Sequence, residues 1–192
     1  MIGLLCAALG LPRDADLSEF DPLRFGVRVD RPGAMMRDFQ AAQDIYLAEG
    51  KKSDNATIGN RYYLADAVFL AGMESENLDQ LLRYVTAFKN PRWLLYLGRR
   101  AFPMTKPIWL QDGLQKQVSL EQALRDFPFL LSEEIRTRSD QLQMVLETES
   151  GPIVQRDRPR SFQERSFTQR RLQIYLTPVP DHCLMEVANV FE

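Results

Sequence analysis

The chain has 192 residues, 45% of them hydrophobic, and a formal net charge of −2. That length holds one domain or two small ones with a real core, and the near-neutral charge excludes a global field that would attract nucleic acid, so any such binding must rest on local patches. Cys6 and Cys183 are the only cysteines; they make neither a metal-site spacing nor a disulfide framework, which fits a reducing cytoplasm, and no apolar run is long enough to span a membrane. The opening MIGLLCAALGL lacks a basic n-region and a clean small-residue cleavage site, so export is not expected. Lysine occurs only at Lys51, Lys52, Lys89, Lys106 and Lys116; every other basic side chain is arginine. Arginine grips phosphate in a two-pronged way and stacks on bases, so the bias suits RNA, although a high-GC genome gives the same bias.

Ile2 to Leu11 reads as a short, nearly all-apolar helix, which implies burial on most sides. Leu23 to Asp30 alternates, with Leu23, Phe25, Val27 and Val29 on one face and Arg24, Gly26, Arg28 and Asp30 on the other. Arg24 and Arg28 are therefore expected on the open face of a strand, either solvated or free for a ligand. Arg31 to Arg61 has little periodicity and carries Pro32, Gly33, Gly50, Gly59 and a polar KKSDN tip. A long insertion without its own core is usually functional or disordered; Arg37, Phe39, Tyr46 and Arg61 lie on its flanks. Tyr62 to Met73 reads as a central strand, with Asp66 in a structural role beside an arginine. Ser75 is expected to cap a helix to Phe88, whose apolar stripe is Leu78, Leu81, Leu82 and Val85, and Asn90-Pro91 ends it.

Trp93 to Tyr96 is a short apolar run that reads as the next buried strand. Gly98 breaks it, Arg99 and Arg100 follow at once, and Pro103 and Pro107 stiffen the exit around Lys106. Two guanidinium groups at the end of a buried strand form a phosphate grip; equally, they can simply face water. Beyond Leu110 the pattern predicts a helix over Ser119 to Phe127 with a Ser119–Gln122 capping box. Strands follow around Leu142–Leu146 and Leu172–Leu176. Between them Arg156, Arg158, Arg160, Arg165, Arg170 and Arg171 interleave with Phe162 and Phe167. That mixture suits RNA, and a charged hairpin loop has the same composition.

The first half thus runs helix, strand, insertion, strand, helix, strand, one initial strand short of β-α-β-β-α-β. The expected fold is α+β: with one initial strand added, 1–110 has the order of a ferredoxin-like (RRM-type) domain carrying a long insertion at about 31–61, and 111–192 reads as a β-rich C-terminal subdomain. There is no P-loop, G-x-G-x-x-G or G-x-S-x-G motif. His182 is the only histidine, which excludes histidine clusters, and Glu133 with Glu134 is a weak metal pair. No catalytic residue, metal site or cofactor is expected.

The wording of the central stretch is more specific than its chemistry. YLGRRAFPMTKPIWL resembles the Y-L-G-R-R-x-x-P-x-x-x-P stretch of the CasD family, the subunit of the type I-E CRISPR Cascade complex that holds the 5′ handle of the guide RNA. IGLLCAALGLPRD, LRFGVRVDRPG, MRDFQAA and RYYLADAVFLAG agree in the family's order, covering most of Ile2 to Leu110; after Leu110 the match is loose, mainly RDRPRSFQERSF and the closing strand. The resemblance implies a first strand and a basic, glycine-containing loop upstream of the Ile2–Leu11 helix, so the chain reads as N-terminally short and is expected to fold poorly alone. It also implies that 1–110 is a RAMP domain lacking its first strand, that the insertion at about 31–61 is a thumb that engages RNA and a neighbouring subunit, and a family arginine at Arg61. Its partners would be the guide RNA (crRNA), the CasC backbone, the CasA large subunit and, through the complex, target DNA. Arg61, Arg99 and Arg100, with Lys106, Arg37 and Arg28, are the candidate RNA contacts of a non-catalytic cytoplasmic subunit. The alternative is a metal-independent endoribonuclease that processes CRISPR repeat RNA with His182 as general acid/base.

Overall fold

Strand β1 (Arg24–Arg31) follows from the alternation of Leu23, Phe25, Val27 and Val29, and lies second in a five-stranded sheet. The computed structural model describes residues 1–52, 56–104, 106–138 and 140–183. In chain order the remaining elements are α1 (Ile2–Leu9), β2 (Ala34–Ala42), β3 (Thr57–Ala65), β4 (Val68–Glu74), α2 (Leu78–Lys89), α3 (Leu120–Asp126), α4 (Glu133–Arg136), β5 (Gln141–Glu147), β6 (Ile153–Ser161) and β7 (Ser166–Pro178). The sheet order is β4-β1-β5-β7-β6, and β2 pairs with β3 in a separate two-stranded ribbon. The chain divides into two compact units, one of residues 1–28 with 70–192 and one of residues 29–69. The fold is α+β and ferredoxin-like, with α1-β1-β4-α2 as its recognisable interior.

Helix α1 is apolar on most sides, and Ile2, Leu5, Cys6 and Ala8 are buried. It ends at Gly10, whose φ of 72° lets its N–H reach Ala7 O while Leu11 N–H reaches Cys6 O. Together with Tyr84, Ala87 and Phe88 of α2, with Leu23 just before β1 and with Phe25 of β1 it builds one core cluster. Asn77, rather than Ser75, caps α2: its side chain accepts from Gln80 N–H at 3.1 Å, while the Ser75 hydroxyl accepts from Asn77 N–H and donates to Gln80 Oε1. Leu78 and Leu82 of the expected stripe are exposed.

The face of β1 expected to be open is closed by α3. Gly26 on β1 and Gly72 on β4 let the helix approach so closely that a Cβ at Gly26 would lie 2.7 Å from Leu124 Cδ1, and one at Gly72 2.8 Å from Leu120 Cδ1. Leu120 and Leu124 then build a second cluster with Leu70, Met144 and Leu146. The sheet clamps both ends of α3. Ser119 caps the start, accepting from Gln122 N–H at 3.2 Å, and Glu74 Oε1 accepts from Leu120 N–H at 2.9 Å. At the other end the guanidinium of Arg28 donates to the carbonyls of Leu124, Phe127 and Pro128. An acid at the helix N-terminus and a base at its C-terminus both complement the helix dipole.

Three further expectations change. Tyr62 to Met73 is two strands, broken at Asp66, whose φ is 56°; its carbonyl, not its carboxylate, accepts from Arg31 Nε. Trp93 to Tyr96 forms no strand: only Leu95 is buried, and Tyr96 makes a single bridge to Pro103. A strand needs a partner ladder, and a ferredoxin-like unit sets its last strand beside its first; among the described residues no such strand lies there. The arginine-rich stretch is not a loop, for most of it is the β6–β7 hairpin, paired from Ile153↔Leu172 to Ser161↔Ser166. Among the described residues no helix is long and apolar enough to cross a membrane.

Candidate nucleic-acid interface

The segment after α2 is tied down before it loops out. Arg92 and Trp93 donate their N–H groups to Ala8 O (2.9 Å) and Ala7 O (3.2 Å), carbonyls of the last turn of α1; Ala7 O also accepts from Gly10 N–H. Leu95 inserts into the first core cluster. The chain then turns back on itself: Leu97 N–H bonds Phe102 O and Phe102 N–H bonds Arg99 O, each at 2.9 Å. Gly98 sits at φ 80°, in the left-handed region that a side chain disfavours. Arg99 and Arg100 lie at the tip of this small loop and are exposed, as is Lys106 beyond it.

Arg37 and Arg61 are exposed on the β2–β3 ribbon. The insertion is not irregular but a regular antiparallel pair running from Ala34↔Ala65 to Ala42↔Thr57. Its weak periodicity has a physical cause: both faces are exposed over most of their length, so no in/out alternation is imposed. Arg37 stands opposite Tyr62, and Arg61 opposite Asp38, so the two arginines point to opposite faces. The face of Arg37 also carries Met35, Phe39, Ile58 and Leu64, each more than half exposed like Tyr62. This apolar patch escaped the sequence reading. In hindsight its signal is the spacing of two on Met35, Arg37, Phe39 and on Ile58, Asn60, Tyr62, Leu64. At the ribbon end Lys52 lies 6.0 Å over the Tyr46 ring; Ser53–Asn55 of the KKSDN tip lie outside the described residues.

Arg28 does not belong with these. It is 0% exposed, and its guanidinium is spent on the carbonyls behind α3, so it has no surface to offer a phosphate. Other arginines are also engaged internally. Arg24 pairs with Glu74, Arg83 with Glu19 and Arg125 with Glu121. In the hairpin Arg170 holds Asp157 through two bonds of 2.6 and 2.7 Å, keeping that carboxyl below the usual carboxylate range. Arg158 pairs with Glu147 at 3.3 Å and donates to Leu23 O. By contrast, among the described residues no carboxylate or carbonyl holds the side chains of Arg37, Arg61, Arg99, Arg100 or Lys106. An exposed cation without an internal partner gives up nothing within the protein when it meets phosphate.

Glu133 and Glu134 are each engaged by an arginine. Glu133 pairs with Arg136 and accepts from the Cys183 thiol at 3.1 Å, which holds its carboxyl down at about 2. Partial desolvation and the same carboxylate raise the thiol above its ordinary value, the opposite of an activated nucleophile. Glu134 pairs with Arg138. His182 is exposed, and its backbone carbonyl accepts from Phe129 N–H at 2.8 Å. Among the described residues no three His, Cys, Asp or Glu side chains gather as a metal site would require.

A family model described as "CRISPR-associated protein (Cas_Cas5)" matches residues 1–173. A solved structure titled "Crystal structure of Cas protein" superposes with a TM-score of 0.74 at 36% identity, over 93% of this chain and 80% of that one. A chain of a "CRISPR RNA-guided surveillance complex" superposes at 0.72 with 27% identity, over 94% of this chain and 78% of that one. No curated protein matches.

Proposed function

The chain belongs to the Cas5 family of CRISPR-associated proteins, and on that premise we propose that it is a non-catalytic, RNA-binding subunit of a type I-E CRISPR surveillance complex that caps the 5′ handle of the guide RNA. Its likeness to a chain of an RNA-guided surveillance complex supports guide RNA and neighbouring subunits as partners. The observation that carries the reading is the pair Arg99 and Arg100, without a partner among the described residues, on a loop whose root is pinned to α1. Anchored backbone with free guanidinium groups is what a phosphate clamp needs. Lys106 adds charge beyond the loop; Arg37 and Arg61 are candidate RNA contacts of the ribbon by itself. The apolar ribbon face suits a protein neighbour, here the CasC backbone, with the CasA large subunit as a further contact.

The test is binding of single-stranded handle RNA across a salt series. Arg99→Ala/Arg100→Ala should weaken binding and lower the log–log salt slope by about 0.7 for each phosphate that is no longer neutralised. Arg125→Ala, whose guanidinium is engaged with Glu121 on α3, should do neither. A double variant with unchanged affinity and slope removes the loop from the interface and the reading with it. Metal-independent cleavage of repeat RNA that disappears in His182→Ala would establish the endoribonuclease instead.

A further inference from the structure

Trp93 belongs to neither core cluster, and 47% of it is exposed. Among the described residues no cation and no second ring covers it. Trp109, the other tryptophan, is the contrast: it packs against the first cluster, and the Lys89 ammonium lies 4.7 Å over its ring. A large aromatic ring left half in water forgoes hydrophobic stabilisation that the core could have supplied. Its backbone, however, is fixed. The N–H groups of Arg92 and Trp93 are bonded to the end of α1. Gly10 interlocks the two segments, because a Cβ there would fall 2.1 Å from Arg92 Cδ. The ring is thus presented from a rigid root, six residues before Arg99, so the two Cα atoms are at most about 21 Å apart along the chain. Leu94 and Leu97 leave further apolar surface beside it.

Building on the RNA-binding reading above, we propose that Trp93 is a stacking platform for an unpaired nucleobase whose neighbouring phosphates are held by Arg99 and Arg100. Single-strand binders combine such a ring with a positive groove, and stacking tolerates any base because every base has a π-face. The ligand at Trp93 is therefore a base rather than a phosphate, with no preference for base identity required.

The two contributions separate with a pair of oligoribonucleotide probes, one intact and one abasic along its length, titrated against the full chain. In a Trp109→Phe background Trp93 is the only tryptophan, and its fluorescence should be quenched by the intact probe and not by the abasic one. Trp93→Ala should weaken the intact probe by roughly tenfold and leave the abasic probe unchanged; Trp93→Phe should restore most of the affinity. Arg99→Ala/Arg100→Ala should weaken both probes. If Trp93→Ala leaves the intact probe unaffected, or weakens both equally, the platform is refuted while the phosphate clamp stands, and the exposed ring is left to a protein neighbour. If neither probe binds, the RNA-binding reading falls and the platform falls with it.

Discussion

Replacing Arg28 by methionine separates a structural arginine from an RNA-binding one. The side chain is 0% exposed and donates to Leu124 O at 2.7 Å, Phe127 O at 2.5 Å and Pro128 O at 2.9 Å. Methionine keeps much of the stem's volume and removes every donor. An orphaned buried carbonyl costs about 1–3 kcal/mol, so three together cost about 3–9 kcal/mol. Relief from desolvating a guanidinium offsets several kcal/mol of this, leaving about 3–5 kcal/mol, the range seen when one side of a buried charged pair is removed. Against a total stability of about 5–15 kcal/mol, that is a large share. With a urea slope of about 2 kcal/mol/M, the unfolding midpoint should fall by roughly 2 M. Loosening of the chain behind α3 should accompany it, seen as faster amide exchange at Phe127 and Phe129. An unchanged midpoint would refute the clamp, and an unchanged midpoint with abolished RNA affinity would return Arg28 to the interface.

Gly10→Ala forces a side chain into φ 72° beside the Arg92 stem and should cost about 1–2 kcal/mol, measured by thermal melting. Gly26→Ala places a Cβ 2.6 Å from Leu146 Cδ2 and 2.7 Å from Leu124 Cδ1; overpacking of that kind costs about 1–3 kcal/mol and should show in the same melt. Asp157 titrates below the ordinary carboxylate value because Arg170 bonds its charged form. Its stabilising contribution is therefore complete above about pH 4 and is lost as pH falls through the depressed value. Asp157→Asn should flatten the acid limb of a stability-versus-pH curve and leave the neutral limb parallel to wild type. His182→Ala should leave handle-RNA affinity unchanged in a filter-binding assay, since the described contact of that residue is its backbone carbonyl.

What the sequence reveals best is what short stretches decide alone. Ser119 caps α3 through a bond three residues long, and Gly10 closes α1 in the same local way. The alternation of Leu142, Met144 and Leu146 gives β5, with all three buried. The failures involve distance along the chain. Arg28 sits on a face that alternation marks as polar and open, yet α3, about 100 residues later, covers it. Nothing within β1 announces that cover except Gly26, whose missing side chain is the space the helix occupies. Trp93 to Tyr96 has the composition of a buried strand, but composition does not supply a neighbour to pair with. The β2–β3 ribbon fails in the opposite direction: its ladder is regular, and because neither face is packed throughout, its residues carry no burial pattern to read.

The same distinction decides which arginines can form an interface. Counting basic residues favours the C-terminal hairpin, where Arg156, Arg158, Arg160, Arg165, Arg170 and Arg171 crowd into sixteen positions. Partner geometry removes four of the six and leaves Arg160 and Arg165, which are exposed. Arg158 and Arg170 already neutralise Glu147 and Asp157, while Arg156 and Arg171 donate to the carbonyls of Phe167 and Gly151. To bind phosphate, such a residue must first leave a carboxylate or carbonyl, and it exposes the abandoned group as it does so. Arg99 and Arg100 break no such bond. Arg99 and Arg100 thus stand level with the exposed Arg160 and Arg165 and ahead of the four committed arginines, because a phosphate contributes only the difference between the new partner and the old one.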